Sequence, residues 1–335
     1  MIPQPGAGRG ERLFDKPKVR FLNSRGFGVR DNLPILRVGA LAASLALCLC
    51  DCSPRSAPGT VEDTLKSGRI RVVCASEARD VTAREQAAFR ALYPLAEVVL
   101  QAGTSRDAMS ALLGARCDLA VITRELEPEE RRAAVQGGIE LEGYRFARDA
   151  VVMVVHPSNP LENVAIEDVR RIYRGEVTRW SDLGGTNTMV RPVFQGPRSD
   201  ISEFFLQQIM GGEPVTARVE YAGSDSEAAA QVRGDPGAIA YVSLAAAREG
   251  KTLRLAPLTG LPYWKPDLEA VYKGAYPLTR FFNLYVRSRG PRLASGFVTF
   301  ITSYEGQKLV RESGLVPTTV PVRFVRRSPM LSAHP

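Results

Sequence analysis

The alternation of short β-branched runs with amphipathic segments over residues 70–135 is the feature that most limits how this chain can fold. Strands are predicted at 70–74, 97–101 and 118–123. A capping box from Thr82 to Glu85, a helix start after Gly103 and a charged helix over 128–135 supply the intervening helices. This alternation predicts an α/β fold with a mostly parallel sheet and helices on both of its faces.

Polar side chains follow each of these three strands. Because open parallel sheets collect ligands at the carboxyl ends of their strands, these side chains form a candidate binding constellation. Its members are Ser76, Thr104, Ser105, Thr123 and Arg124. Arg124 has a second interpretation, which is a surface ion pair with Glu125 or Glu127.

Residues 191–205 contain a candidate anion site. An apolar strand over 190–194 runs into a Gly-Pro turn, and a helix is predicted to begin at Ser199 or Asp200. The first turn of a helix presents free N–H groups and partial positive charge, which favour an anion. Arg198 and Ser199 add a guanidinium and a hydroxyl. The alternative is an ordinary helix start, with Asp200 as the cap and Glu203 three residues later.

Two long extended segments, 150–157 and 276–286, enclose a middle part with its own strand–helix alternation. The chain is therefore predicted to leave a first lobe and to return to it, so that two crossings form a hinge and a ligand cleft. A single amphipathic helix over 293–312 is predicted to close the fold. The predicted organisation is a leader and tether over 1–58, lobe 1 over 61–149 plus 283–322, lobe 2 over 150–282, and a flexible tail over 323–335.

The charge of the chain lies mainly at its ends. The formal net charge is +8, but residues 61–320 carry 32 basic and 32 acidic residues. A nucleic-acid-binding domain needs a basic surface, so this class of protein is not favoured. The two histidines, His156 and His334, nearly exclude a histidine triad or a multi-histidine metal site. No Gly-x-Ser-x-Gly motif is present, and neither an enzyme nor a cofactor is expected.

The segment 36–52 is typical of an export signal. Its apolar run over 38–49 follows a basic flank and is shorter than the ~20 residues of a membrane-spanning helix. The segment resembles a bacterial lipoprotein leader, in which a cysteine is lipidated after cleavage. Cys48 and Cys50 are the first candidates, ahead of Cys52. The implied location is the periplasmic face of the cell envelope, with a lipid anchor.

Five motifs in order resemble the phosphate-binding proteins of bacterial ABC importers, within the two-lobed periplasmic binding protein superfamily, type II. They cover roughly residues 69–320 and comprise His156-Pro-Ser-Asn-Pro160, the segment 166–185 ending in Trp180-Ser-Asp-Leu-Gly-Gly185, Asp235-Pro-Gly-Ala-Ile-Ala-Tyr241, Tyr276-Pro-Leu-Thr-Arg280 and the segment 300–317. The resemblance implies a monomeric binding protein that takes phosphate or a related oxyanion between two lobes. It also implies delivery of that ligand to an ABC permease.

The family's phosphate loop, R-x-x-G-S-G-T, reads Gln195-Gly-Pro-Arg-Ser-Asp-Ile201 in this chain. Ser199 is retained, whereas the arginine becomes Gln195 and the second glycine becomes Asp200. Arg198 supplies a charge from a neighbouring position. Asp200 either accepts the proton of monohydrogen phosphate, as a family acid does, or caps the helix. The altered loop leaves an alternative function open, a sensor or adhesion component that has lost transport.

Cys74 lies within the first predicted strand and Cys117 just before the third. If these strands are neighbours, the two residues are about four positions out of register, which is on the order of 13 Å. A disulfide bridges at most about 7 Å between Cα atoms. Two free, buried thiols are therefore predicted.

Overall fold

A computed structural model describes residues 61–318 of the chain. The predicted leader over 1–58, its candidate lipidation residues Cys48 and Cys50, and the predicted tail over 323–335 lie outside the described residues. Within the described range no helix is both long and apolar enough to span a bilayer.

The described elements alternate from the start of the range. The helices are α1 Arg79–Leu92, α2 Ser105–Leu113, α3 Pro128–Gln136, α4 Ile166–Tyr173, α5 Asp200–Gln208, α6 Asp225–Gly234, α7 Leu268–Lys273, α8 Arg292–Ile301 and α9 Tyr304–Glu312. The strands are β1 Gly68–Ala75, β2 Ala96–Gly103, β3 Leu119–Ile122, β4 Leu141–Val155, β5 Asn163–Ala165, β6 Arg191–Phe194, β7 Glu220–Tyr221, β8 Ala238–Ser243, β9 Lys251–Thr252, β10 Arg254–Ala256, β11 Thr279–Arg287 and β12 Val316–Pro317.

The main sheet is mixed rather than mostly parallel. Its order is β2-β1-β3-β11-β4-β8-β6-β7, with β9 and β12 also paired to β4. The first three strands are parallel, as the sequence predicts, and β6 pairs in parallel with β7 and β8. The two long strands are antiparallel to each other and to their outer neighbours β3 and β8. The parallel prediction therefore holds within each run of βα units and fails where β4 and β11 join them.

Strands β4 and β11 connect separate parts of the core. The largest cluster of buried hydrophobic residues comes from 150–278 together with Val316. A second cluster comes from residues 70–147 together with 282–315. A third cluster comes from residues between Val73 and Tyr285. Phe146 and Ala147 of β4 pack in the second cluster, whereas the strand from Ala150 onward packs in the largest. One continuous strand thus contributes to two cores.

Two predicted helix boundaries are wrong. Helix α1 begins at Arg79, three residues before the predicted capping box, and Thr82 donates its hydroxyl hydrogen bond to the Ala78 carbonyl. The predicted closing helix is broken into α8 and α9, because Ser303 accepts a hydrogen bond from Gly306 N and starts a new helix. Ser and Thr side chains form hydrogen bonds to nearby backbone groups both inside helices and at helix starts. Their presence in the sequence is therefore a poor marker of where a helix begins or ends.

The prediction of two free buried thiols is confirmed. Cys74 pairs in register with Val121, which is four residues beyond Cys117. The two side chains also lie in different core clusters. Burial raises the pKa of each thiol to about 11, so both are protonated and poorly nucleophilic at neutral pH.

Glu85 generates a prediction about stability and pH. Its side chain is fully buried, and neither carboxyl oxygen has a hydrogen-bond partner among residues 61–318. Burial raises its pKa from 4.5 to about 9. The folded state then holds a proton that the unfolded state has lost, so this group makes stability fall as pH rises between these two values.

We expect Glu85→Gln to remove this slope, which is at most about 1.4 kcal/mol per pH unit. The variant should gain stability over the natural protein as the pH is raised from 5 to 9. Urea unfolding at intervals of one pH unit measures the difference. Parallel stability curves for the two proteins would contradict a protonated Glu85 in the folded state.

Candidate functional site

A cavity of about 810 Å³ lies where the carboxyl ends of β1 and β2 approach the start of α5. Ser76 follows β1, Thr104 follows β2, and the residues before α5 form the opposite wall. Five of the eight predicted binding residues line this cavity, namely Ser76, Thr104, Arg198, Ser199 and Asp200. The structure thus brings two of the five strand-end residues, Ser76 and Thr104, together with the central loop.

Two of the hydroxyl groups cap helices. Thr104 is the N-cap of α2, and its Oγ1 accepts a hydrogen bond from Asp107 N at 3.1 Å. Ser199 is the N-cap of α5, and its Oγ accepts from Ser202 N at 3.2 Å. Because Ser199 caps α5, Asp200 does not, and the cap interpretation of Asp200 is wrong.

Asp200 is bound instead by groups from the other wall. Its Oδ2 accepts hydrogen bonds from Ser105 N at 2.9 Å, from Ser105 Oγ at 2.6 Å and from Thr123 Oγ1 at 3.2 Å. The three side chains are buried. Ser105 and Thr123, two more of the predicted binding residues, therefore contact a carboxylate of the chain itself.

Glu77, which follows β1, makes the corresponding contact with the wall that carries α5. Its Oε1 accepts a hydrogen bond from Ile201 N, in the first turn of α5, at 3.1 Å. Burial raises the pKa of Glu77 above its ordinary value, Arg280 opposes this change, and Asp200 adds to it. Glu77 was not predicted as a site residue, although it directly follows Ser76 at the end of β1.

Arg124 lies outside the cavity lining. Its Nη1 and Nη2 donate to the two carboxylate oxygens of Glu130 at 2.9 and 2.8 Å, and its Nε lies 3.5 Å from Glu127. The predicted ligand contact is therefore replaced by an ion pair with helix α3. The surface ion-pair alternative is right for Glu127 and wrong for Glu125, which pairs with Arg145.

The side chain of Gln195, at the start of the central loop, also has its partners within the chain. Gln195 Nε2 donates to Asp225 Oδ1 and to the Tyr241 carbonyl, both at 2.7 Å. Asp225, at the start of α6, accepts in addition from Ser243 N at 3.0 Å. Gln195 thus joins β6, α6 and β8 on the wall that carries the central loop.

A buried ion pair behind the cavity joins β4 and β11, and no sequence pattern predicts it. Arg280 Nε and Nη2 donate to Asp149 Oδ2 at 3.1 and 3.0 Å, and both residues are buried. Burial acts to lower the pKa of Arg280, but the carboxylates of Asp149, Glu77 and Asp225 raise it above its ordinary value. The guanidinium is therefore charged. Arg280 lies within the motif Tyr276-Pro-Leu-Thr-Arg280, which could have indicated this residue but not its partner.

Charged groups in the cavity lining are mostly acidic. They are Arg198 and the carboxylates of Glu77, Asp80, Asp200 and Asp225. Arg198 is exposed and makes no ion pair with any carboxylate of the described part of the chain. An anion in this cavity would find one free guanidinium, helix-start amides that already have carboxylate partners, and repulsion from the acidic groups.

Residues 59–305 match the family model described as PBP superfamily domain. The chain is 24% identical over 262 residues to the phosphate-binding protein PstS of Bacillus subtilis (strain 168), covering 76% of this chain and 82% of that protein. It is also 24% identical over 247 residues to PstS of Pseudomonas aeruginosa PAO1, covering 68% and 76%. These relatives confirm the resemblance, and neither is named as an enzyme.

Solved structures confirm the predicted type II binding-protein fold. An ABC-type phosphate transport receptor from Vibrio cholerae superposes with a TM-score of 0.65 at 21% identity, covering 74% of this chain and 100% of that one. PstS from Borrelia burgdorferi superposes with a TM-score of 0.57 at 17% identity, covering 74% and 98%.

The ion pair behind the cavity generates the second prediction. Asp149→Ala leaves the buried Arg280 charge without its partner and should destabilise the protein by about 3–5 kcal/mol. The control is Glu269→Ala, which removes one half of an exposed pair with Lys273 and should change stability far less, because exposed ion pairs contribute little. Urea unfolding at neutral pH compares the two variants. Equal effects would contradict a buried, charged Arg280.

Proposed function

Since the chain belongs to the family described as PBP superfamily domain, we propose that it is the substrate-binding component of an ABC importer. Its ligand is phosphate or a related oxyanion, held in the cavity between β1, β2 and the start of α5. The protein binds and releases this ligand without chemical change.

One observation carries the proposal: donors from one wall of the cavity already hold a carboxylate that belongs to the other wall. The amide and hydroxyl of Ser105 and the hydroxyl of Thr123 converge on one buried anionic group, Asp200. Hydrogen bonds from such groups to an ionised oxygen are short and strong. A site that holds a carboxylate in this way has the donors for another oxyanion. Arg198, exposed on the same lining, supplies a charge.

We assign the two walls to two lobes, with residues 61–149 plus 283–322 in lobe 1 and 150–282 in lobe 2. The separate core clusters support this division, with the exceptions of Val316, which packs with residues of lobe 2, and Phe282, which packs with residues of lobe 1. Strands β4 and β11 are then the two crossings, and the cavity opens and closes about them. A ligand shifts the population toward the closed form only through contacts made with both walls together.

The cellular part of the proposal rests on the leader and on the relatives. Lipidation at Cys48 or Cys50 would hold a monomer at the periplasmic face of the envelope, and the permease of the importer would be its protein partner. The names of the two PstS relatives support phosphate as the ligand.

A second candidate function is a sensor or adhesion component that keeps the fold but has lost transport. The observation that favours it is the set of carboxylates in the lining, together with the replacement of the family's arginine by Gln195. Phosphate uptake in a strain that lacks its own binding protein separates the two functions. Restored uptake supports transport. Phosphate binding without uptake favours the sensor.

Isothermal calorimetry with phosphate, arsenate and sulfate tests oxyanion binding directly. We expect heat with at least one of the three, and roughly tenfold weaker binding for Arg198→Ala because a charged donor is lost. The control is Arg191→Ala, whose guanidinium pairs with Asp235 instead. Affinity for its anion should stay unchanged. No heat from any of the three anions at millimolar concentration would contradict oxyanion binding.

A further inference from the structure

We propose that Asp200 is an internal ligand of this site, so that its carboxylate occupies the oxyanion donors and competes with the external anion. The inference rests on the proposed function and identifies the residue that sets the site's affinity. It concerns the position at which the family's loop has a glycine.

The Asp200 carboxylate occupies hydrogen-bond donors of the opposite wall. Its Oδ2 receives hydrogen bonds from Ser105 N, Ser105 Oγ and Thr123 Oγ1, and its Oδ1 lies 3.1 Å from Ser105 N. Ser105 is the first residue of α2, so Asp200 lies at the positive end of that helix. An entering phosphate would need the same amide and hydroxyls.

These contacts join distant parts of the chain. Asp200 is 95 residues from Ser105 and 77 from Thr123 in sequence. Beside them, Arg106 of α2 lies 3.5 Å from Glu203 of α5. A ligand closes a two-walled site by contacting both walls, and here a side chain of one wall makes that contact.

Glu77, on the wall opposite Asp200, occupies a further donor of the site in the same way. It accepts from Ile201 N, an amide in the first turn of α5. Each helix start therefore presents an amide to a carboxylate carried by the opposite wall. With both amides engaged, an external anion has to displace Asp200, Glu77 or both.

The same geometry opposes the interpretation of Asp200 as the acceptor of the ligand's proton. Such an acceptor needs an oxygen lone pair that faces the ligand. Oδ2 already receives three hydrogen bonds and Oδ1 lies against the Ser105 amide. A proton acceptor favours monohydrogen phosphate over sulfate, whereas an internal competitor opposes both anions.

Calorimetry on the full chain with Asp200→Gly separates these interpretations. We expect the natural protein to bind phosphate and sulfate weakly, and the glycine variant to bind each at least tenfold more tightly, which is about 1.4 kcal/mol. Asp200→Asn keeps the size of the side chain and removes its charge. It should give a smaller gain in the same direction, and it protects the test if the glycine variant is unstable.

The matched control is Asp80→Asn. Asp80 lines the same cavity but accepts no hydrogen bond from any described residue, so this change removes a charge without freeing a donor. Because the Asp80 carboxylate also repels an anion, the Asp80→Asn variant should bind either anion more tightly, but by less than threefold. A gain as large as that of Asp200→Gly would show that charge alone sets the affinity and would overturn the proposal.

Two further outcomes are decisive. If the natural protein binds phosphate and Asp200→Gly binds it more weakly while sulfate binding is unchanged, Asp200 reads the ligand's proton. The proposal is then wrong and the oxyanion function stands. If folded natural protein and folded Asp200→Gly both fail to bind phosphate, sulfate and arsenate, the oxyanion function fails and the internal-ligand proposal fails with it.

Discussion

The antiparallel pairing of β4 with β11 is the interaction on which the rest of the structure depends. It spans residues 141–150 of one strand and 279–287 of the other. At its end Asp149 lies opposite Arg280, and their buried ion pair stands at the transition between the core clusters. A buried ion pair offsets the desolvation of its charges only when its geometry is good, so the pair favours this register of the two strands. The pairing therefore positions the two walls of the cavity.

Electrostatics inside the cavity follow from the rule that buried polar groups need partners. The buried amides of Ser105 and Ile201, at the starts of α2 and α5, each donate a hydrogen bond to a carboxylate from the opposite wall.

Much of the fold and part of the site could be predicted from the sequence. The strands that precede Ser76 and Thr104 and the helix that follows Ser199 lie close to their predicted places, because alternation and capping are local signals. Arg124 was assigned to the cavity because it follows β3. Its position relative to Glu130 could not be read from the sequence, since that distance depends on how α3 packs.

By itself, the sequence determined the α/β alternation and the polar residues at strand ends. These features depend on periodicity and spacing along the chain. The tertiary structure decided that Asp200 binds Ser105 rather than capping its own helix. The two residues are 95 positions apart, so their contact depends on strand register and on the packing of two helices, which no local pattern specifies.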